Sequence, residues 1–155
     1  MKPIHIGVIS DTHGLLRPEA LELLQGSDYI FHLGDVGHPM ILDSLAKLAP
    51  LTTVRGNIDK APWAQALPLT EWKEIGGYTF FLQHILADLA IDPPSAGVDM
   101  VLFGHSHKPF LEQKENVWYF NPGSAGKRRF SLPITMGKIL VSAEGLKAEH
   151  FYLEV

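Results

Sequence analysis

Leu33-Gly34-Asp35-Val36 closes a short apolar run, 29–33, with a glycine and then a carboxylate. A run of this kind is typical of a buried β-strand. A carboxylate just past its end would lie at the rim of a sheet, where α/β proteins bind their ligands. Alone, a Gly-Asp pair after a strand is more often a simple turn, so its meaning depends on the rest of the chain.

The same pattern occurs twice more along the chain. Gly56-Asn57 follows the apolar run 51–55, and Gly104-His105 follows the run 98–103. Polar side chains at predicted strand ends form a set of seven: Asp11, His13, Asp35, Asn57, His84, His105 and His107. Successive clusters lie 21 to 27 residues apart, about one strand and its return connection. If the strands lie side by side, these side chains converge on one rim.

The first third of the chain alternates predicted strands and helices, which favours a parallel sheet with right-handed crossovers. We predict strand 4–9, helix 18–24, strand 29–33, helix 39–48 and strand 51–55. The remainder is rich in hairpins, so we expect a mixed sheet and more than one sheet. There we predict a loop or short irregular helix at 60–68, strands 70–75 and 78–83, a short helix at 85–91, and strands 98–103, 117–120, 134–142 and 146–153. No linker divides the chain, so we expect a single domain over residues 1–155.

The composition is that of an ordinary globular protein, with 46% hydrophobic and 19% charged residues. The chain has no cysteine, which excludes a disulfide scaffold, a thiolate nucleophile and thiolate metal sites. A formal net charge of -4 argues against broad electrostatic binding to nucleic acid. No signal peptide is apparent, and no apolar run approaches the roughly 20 residues that span a bilayer. We therefore expect a cytoplasmic protein without a membrane partner.

The seven strand-end side chains comprise two carboxylates, one amide and four imidazoles. This set suits Mn, Fe, Ni, Zn or Co better than Mg or Ca, which prefer sites richer in oxygen. Seven donors are too many for one tetrahedral ion, and they suit two ions if one carboxylate bridges. Two carboxylates would leave two divalent ions with a net positive charge, which attracts phosphate. Because bound metal lowers the pKa of water toward about 7, hydrolysis of a phosphate ester follows naturally.

Each motif also has a plain structural interpretation. Asp11-Thr12-His13, Gly34-Asp35 and Gly56-Asn57 are individually common as turns. His105 and His107 would also suit a hydrogen-bonded pair of partly buried histidines. The order and spacing of all the motifs together favour the metal site.

Six segments carry a family resemblance: Ser10-Asp11-Thr12-His13-Gly14, Leu33-Gly34-Asp35, Arg55-Gly56-Asn57, the lone His84, Phe103-Gly104-His105-Ser106-His107 and Asn121-Pro122-Gly123-Ser124. Together they resemble the calcineurin-like metallophosphoesterase superfamily, in particular its small single-domain phosphodiesterase branch. The resemblance implies a four-layer αββα sandwich of two mixed β-sheets with the metals at the strand ends. It implies one ion on Asp11, His13 and His107, a second on Asn57, His84 and His105, and Asp35 as the bridge. Mn²⁺ is the favoured ion, with Ni²⁺, Fe²⁺, Zn²⁺ and Co²⁺ as alternatives.

Two positions depart from many members of that superfamily. One is Gln83-His84-Ile85, where those members often have Gly or His after the ligand histidine, and the other follows Asn57. Those members carry Gly-Asn-His, with the histidine beside the phosphate or the leaving group, whereas this chain has Ile58 there. The small branch commonly lacks this histidine too, so activity is not excluded. Our hypothesis is that a metal-bound hydroxide attacks phosphorus in line and that the leaving group departs largely unassisted. Aryl phosphodiesters should then react faster than alkyl esters, and no side chain is assigned as catalytic acid or base.

The remaining polar residues receive structural interpretations. His5 and His32 lie within predicted strands, and we expect both to be packed and hydrogen-bonded. His150, in the last hairpin, should be exposed, while His38 is a weak candidate to line the pocket and donate a proton. The cations at 127–129 are typical of a solvated loop, although such a loop could bring one arginine to a phosphate.

Two functions remain open at this point. The first is a dinuclear metal-dependent phosphodiesterase acting on a phosphate-ester small molecule. The alternative is a metal-binding scaffold or protein-interaction module on the same fold, as in the retromer subunit of this superfamily. The natural substrate, the native metal, the choice between monoesters and diesters, the proton donor and the oligomeric state, a homo-oligomer included, stay undetermined.

Overall fold

Two five-stranded sheets form the centre of the computed structural model, which describes residues 1–155. The first sheet contains β1 (Ile4–Ile9), β2 (Tyr29–His32), β3 (Leu51–Thr53), β9 (Thr135–Ser142) and β10 (Gly145–Tyr152). Its strand order is β10-β9-β1-β2-β3. The β1, β2 and β3 strands run parallel, while β9 is antiparallel to both β1 and β10.

The second sheet contains the middle strands of the chain. These are β4 (Thr70–Ile75), β5 (Tyr78–Gln83), β6 (Met100–Leu102), β7 (Phe110–Lys114) and β8 (Val117–Asn121). The strand order is β4-β5-β6-β8-β7, with a parallel centre of β5, β6 and β8 between two antiparallel edges. Both sheets are therefore mixed, as predicted.

Two α-helices cover the outer face of the first sheet: α1 (Pro18–Leu24) and α2 (Pro39–Ala46). Each begins with a proline, whose fixed φ suits the first turn and whose missing N–H is not needed there. Their buried residues, such as Leu24 and Leu45, pack against Ile9 and Ile30 of the sheet. None of the helices is both long and apolar enough to cross a membrane.

The main core lies between the sheets, where side chains such as Val8 and Phe31 of the first meet Phe80 and Leu102 of the second. On the outer face of the second sheet, a smaller cluster around Val101 packs beneath the segment that contains a 3₁₀ helix, Leu86–Asp88. The four layers predicted from the sequence are confirmed. The fourth layer, outside the second sheet, is short and contains only a 3₁₀ helix.

Some predicted boundaries are wrong in informative ways. The predicted helix 85–91 is only the 3₁₀ turn Leu86–Asp88, whereas the irregular helix expected at 60–68 is present as the 3₁₀ helix Pro62–Ala66. The strand β7 was not predicted, because its sequence is mostly polar and lacks the alternation of a half-buried strand. It is an edge strand with four of its five residues exposed.

Candidate metal centre

All seven predicted metal-binding side chains meet at one end of the sandwich, past the carboxyl ends of parallel strands. They follow β1 (Asp11, His13), β2 (Asp35), β3 (Asn57), β5 (His84) and β6 (His105, His107). Both sheets contribute, so the cluster lies across the seam between them. The predicted convergence on one rim is thus observed.

The first donor group consists of Asp11, His13 and His107, whose donor atoms all lie within 4.8 Å of one another. His107 Nε2 is 3.3 Å from Asp11 Oδ1, and His13 Nε2 is 3.8 Å from the same oxygen. Asp11 and His107 are buried, while His13 is partly exposed.

The second donor group consists of Asp35, His84 and His105, again with donor atoms within 4.8 Å of one another. His84 Nε2 lies 3.2 Å from Asp35 Oδ2. Asn57 joins this group, since its Oδ1 is 3.0 Å from His105 Nδ1. Asn57 and His105 are exposed, so this side of the cluster is open to solvent.

Two carboxylate oxygens have histidines of both groups within 4.0 Å. Asp11 Oδ1 lies 3.8 Å from His84 Nε2 of the second group, and Asp35 Oδ2 makes the shorter approach across the groups. Asp35 Oδ2 is 3.2 Å from His84 Nε2 in the second group and 3.5 Å from His13 Nε2 in the first. Its partner oxygen, Oδ1, accepts a hydrogen bond from the Ile58 backbone N–H at 3.0 Å, which orients the carboxylate. This position suits a ligand shared by both groups.

Two observations indicate that the donor atoms suit a bound metal ion. Four of them are buried without a hydrogen-bond partner: Asp11 Oδ1, His13 Nε2, His84 Nε2 and His107 Nε2. Buried polar atoms without partners are costly, and a cation would satisfy them. In addition, two donors at about 2.1 Å from one ion are separated by about 3.0 to 3.4 Å. The separations of 3.3 Å between His107 and Asp11 and of 3.2 Å between His84 and Asp35 fall in that range.

His84 illustrates how the fold prepares a ligand. Its Nδ1–H donates to the carbonyl of Leu33 at 2.7 Å, so the neutral ring presents an unprotonated Nε2 to the cluster. Metal-binding histidines usually donate their other N–H in this way, which fixes both tautomer and orientation.

The electrostatics of the cluster follow from burial and close charge. Burial opposes ionisation of Asp11, but the nearby imidazoles of His107 and His13 outweigh it and hold its pKa well below the usual range. For Asp35, burial is likewise outweighed by His84 and by the Ile58 N–H, and the pKa is lowered. Burial disfavours the charged form of His84, yet the carboxylates of Asp35 and Asp11 raise its pKa. Protons therefore compete with a metal ion for His84 Nε2, so metal binding weakens at low pH.

Five of the seven residues adopt a left-handed backbone conformation: Asp11 (φ 54°), His13 (46°), Asp35 (56°), His105 (72°) and His107 (63°). This conformation costs an L-residue roughly 1–2 kcal/mol, although Asp and His tolerate it better than most. Such residues persist only where the surroundings impose them, and they cluster at functional sites.

The glycine in each strand-end motif has a steric reason. A Cβ on Gly34, which has φ +102°, would come within 2.8 Å of both the Gly56 backbone N and His84 Nδ1. A Cβ on Gly104 would come within 2.3 Å of Ser10 Oγ and 2.6 Å of Asp11 Oδ2. The motif turns touch one another, and glycine allows this close approach.

Asp59 is a functional residue that the sequence analysis missed. Its buried carboxylate accepts hydrogen bonds from the backbone N–H groups of Val36, Gly37 and Gly56. It thereby fixes the turn after β2 to the turn after β3. Only its place two residues after Asn57 hinted at a role, and a turn aspartate is equally common there.

His32 lies beneath both donor groups and does not ligate, as expected. Thr12 Oγ1 donates to the Val36 carbonyl and accepts from His32 Nε2–H at 3.0 Å, while the Gly34 N–H donates to His32 Nδ1 at 3.1 Å. Both ring nitrogens are used by the neutral form. Burial accordingly lowers the pKa of His32 to about 4, despite the charges of Asp11 and Asp59.

Two other histidine predictions are wrong. His5 is exposed rather than packed, because its strand position faces outward. His150 is half-buried, and its Nε2 lies 2.7 Å from the carbonyl oxygen of Asn121. His38 caps α2 by accepting from the Met40 N–H through Nδ1, and it does not line the cavity beside His13.

The match to a family model decides the relationship of this chain to known proteins. Residues 4–144 match the calcineurin-like phosphoesterase superfamily domain. The chain belongs to this superfamily. Calcineurin-like phosphoesterases are metal-dependent, and the two donor groups are the candidate ligands here.

Relatives in the superfamily carry names that indicate phosphoester hydrolysis. The chain is 36% identical over 130 residues to a "probable metallophosphoesterase" of Methanocaldococcus jannaschii, covering 77% of this chain and 67% of that protein. It is 33% identical to a "probable metallophosphoesterase" of Methanothermobacter thermautotrophicus over 93% of this chain and 90% of that one. Phosphodiesterase YfcE of Escherichia coli K12 is 28% identical, with 84% of each chain covered.

Solved structures show the same fold. A structure described as a novel archaeal phosphodiesterase superimposes with a TM-score of 0.80 at 24% identity, over 97% of this chain and 100% of that one. Vacuolar protein sorting 29 from Cryptosporidium parvum superimposes with a TM-score of 0.77 at 17% identity, over 99% of each chain. At these identities the likeness concerns the fold alone.

Proposed function

We propose that the chain is a phosphodiesterase that uses two divalent metal ions, one in each donor group. The observation that carries the proposal is the pair of groups whose buried donor atoms lack partners and face each other across Asp35. The phosphodiesterase names of relatives such as the Escherichia coli protein support the same reaction class.

In this proposal Asp11, His13 and His107 hold one ion, and Asn57, His84 and His105 hold the other. Asp35 is a ligand to both, since one of its oxygens lies near histidines of both groups. Bound divalent ions lower the pKa of water and stabilise the charge that develops on phosphoryl oxygens. The mixed imidazole and oxygen donors favour Mn²⁺, with Ni²⁺, Fe²⁺, Zn²⁺ and Co²⁺ as alternatives.

Residues of the chain then determine which substrates bind and which leaving groups can depart. Two carboxylates only partly offset two divalent ions, so the site attracts an anionic phosphate ester. Ile58 is 43% exposed and lines the cavity beside His13 and His107. Its side chain cannot donate a proton to a leaving group. Esters with good leaving groups, such as aryl phosphodiesters, should therefore be the best substrates.

The test is hydrolysis of bis(p-nitrophenyl) phosphate by chelator-treated protein with and without added Mn²⁺. We expect release of nitrophenolate only with the metal. An alkyl p-nitrophenyl diester and a dialkyl diester of matched size then compare leaving groups, and the dialkyl ester should react far more slowly. Absence of turnover with every divalent ion would contradict the proposal.

Ile58→His provides a sharper version of this experiment. It should accelerate the poor alkyl leaving group more than the aryl one, because it adds a proton donor beside the site. Ile58→Gln is the matched control, since it adds a polar group without a titratable proton. Equal effects of both variants would show that proton donation does not limit the alkyl substrate.

A second candidate function is a metal-binding scaffold for other proteins. It is favoured by Ile58 and by the structural likeness to vacuolar protein sorting 29. Tight metal binding without hydrolysis of any tested phosphodiester would support the scaffold. Metal-dependent turnover would support the enzyme.

A further inference from the structure

Three consecutive cations stand at the edge of the candidate metal centre. Lys127, Arg128 and Arg129, here called the basic loop, line a cavity of about 490 Å³. The same cavity is lined by His13 and His107 of the first donor group. The basic loop and the metal site therefore open into one space.

The chain before the basic loop is fixed to the first donor group. Ser124 Oγ donates to the carbonyl of Asp11 at 3.0 Å, and the Ala125 N–H donates to the carbonyl of the preceding residue, Ser10, at 3.1 Å. Arg17 Nε donates to the carbonyl of Gly126 at 3.0 Å. The loop cations consequently start from a defined place beside the metal ligands.

The loop is also closed on itself at its far end. The Leu132 N–H donates to the Arg129 carbonyl at 3.1 Å, and Arg128 Nη1 donates to the Leu132 carbonyl at 3.2 Å. These bonds make a turn that holds the three cations at the cavity mouth rather than spread along an extended chain.

No carboxylate forms an ion pair with these three cations. Every close pair between a basic group and a carboxylate involves a histidine, and no Lys or Arg nitrogen lies within 4.0 Å of an Asp or Glu oxygen. Three unpaired cations side by side are notable in a chain of net charge -4. An anionic ligand group would complement them.

The size of the cavity indicates what that group belongs to. Small-molecule sites occupy roughly 300–1,000 Å³, so this cavity holds more than the reacting phosphate alone. The reacting phosphate has its own positive partners at the metal groups. Guanidinium groups match phosphate oxygens with paired N–H donors, which makes phosphate the anion that best suits the two arginines.

We propose that the basic loop binds a second phosphate group of the substrate. The substrate class is then a phosphodiester that also carries a phosphate monoester. This inference rests on the phosphodiesterase function proposed above and adds to it the part of the substrate that is recognised away from the reacting bond.

Two chromogenic substrates that differ only in the second phosphate test the inference. They are thymidine 5′-(p-nitrophenyl phosphate) and the same compound with a 3′-phosphate, assayed with the Mn²⁺-loaded protein. We expect kcat/KM for the 3′-phosphorylated substrate to be about tenfold higher, mainly through KM, because charge-assisted hydrogen bonds to the loop add to binding.

Arg129→Gln and Lys127→Gln should lower kcat/KM severalfold more for the 3′-phosphorylated substrate than for the unphosphorylated one, with the metal content unchanged. Lys114→Gln, an exposed charge on β7, is the control and should keep the preference. Equal kcat/KM for both substrates, or an equal loss for both in the loop variants, would overturn the inference while leaving the phosphodiesterase intact. If the protein hydrolysed neither of the two substrates, both the proposed function and this inference would be overturned.

Discussion

The two donor groups differ in how the fold holds them. In the first group, Asp11 and His107 are at most 3% exposed. The Asp11 N–H donates to the carbonyl of Gly34, and the Asp11 carbonyl accepts from the buried Ser124 hydroxyl. In the second group, Asn57 and His105 are exposed. Its turns are joined through the buried carboxylate of Asp59. The first group thus has no fully exposed donor, whereas the second has two, and its turns depend on the hydrogen bonds of Asp59.

Removal of the Asp59 carboxylate should produce the largest difference in metal affinity between the two groups. Asp59→Ala leaves the N–H groups of Val36, Gly37 and Gly56 without an acceptor, and we expect the free energy of unfolding to fall by about 4 kcal/mol. Urea unfolding of chelator-treated protein measures this loss. Metal titration should show the ion of the second group weakened more than the ion of the first group.

Asp43→Ala, at an exposed position of α2, is the matched control for that variant and should alter neither quantity. If Asp59→Ala weakened both ions equally, the second group would not depend on Asp59 more than the first does.

His32 should link the stability of both groups to pH. Its pKa is about 4 when folded and about 6.5 when unfolded. Between these values the unfolded chain binds more protons, so stability falls as the pH falls and is unaffected above about pH 6.5. The full loss, reached below about pH 4, is about 3 kcal/mol. His32→Gln should lose less stability between about pH 7.5 and about pH 4.5 than the parent does, measured by urea unfolding without metal.

The lowered pKa values of Asp11 and Asp35 also make the protein less stable in acid. They do so in both the parent and His32→Gln, so they cancel in the difference. An identical pH dependence of the two proteins would show that His32 is not held neutral.

The smallest expected effect concerns the backbone of His105, one of the two exposed members of the second group. His105 has φ 72°, which suits glycine better than alanine. Without metal, His105→Gly should be about 1 kcal/mol more stable than His105→Ala. The order should reverse at His5, which is exposed within β1 at an ordinary strand conformation. Equal stability of the two His105 variants would mean that this turn relaxes and carries no strain.

Much of the convergence was predictable because each candidate ligand follows an apolar run, and the carboxyl ends of parallel strands meet at one rim. His84 is an example: it has no distinctive neighbour, yet it lies where the pattern of strands placed it. The αββα layering was predicted with them, through the family resemblance that the same motifs carry.

Other features depend on contacts that no local pattern records. Asp59 acts through backbone groups more than 20 residues away, and it resembles any turn aspartate. The solvent exposure of His5 and His150 depends on which face of its strand each residue occupies. The strand β7 is recognisable only by its pairing with β8, since its own residues are mostly polar.

The metal content of point variants tests the central claim, that Asp35 is shared by two ions. After equilibration with Mn²⁺ and removal of free metal, the parent protein should retain about two ions per chain. His107→Ala and His84→Ala should each lose mainly one, whereas Asp35→Asn should lose affinity for both together. Retention of both ions by Asp35→Asn at parental affinity would contradict the account.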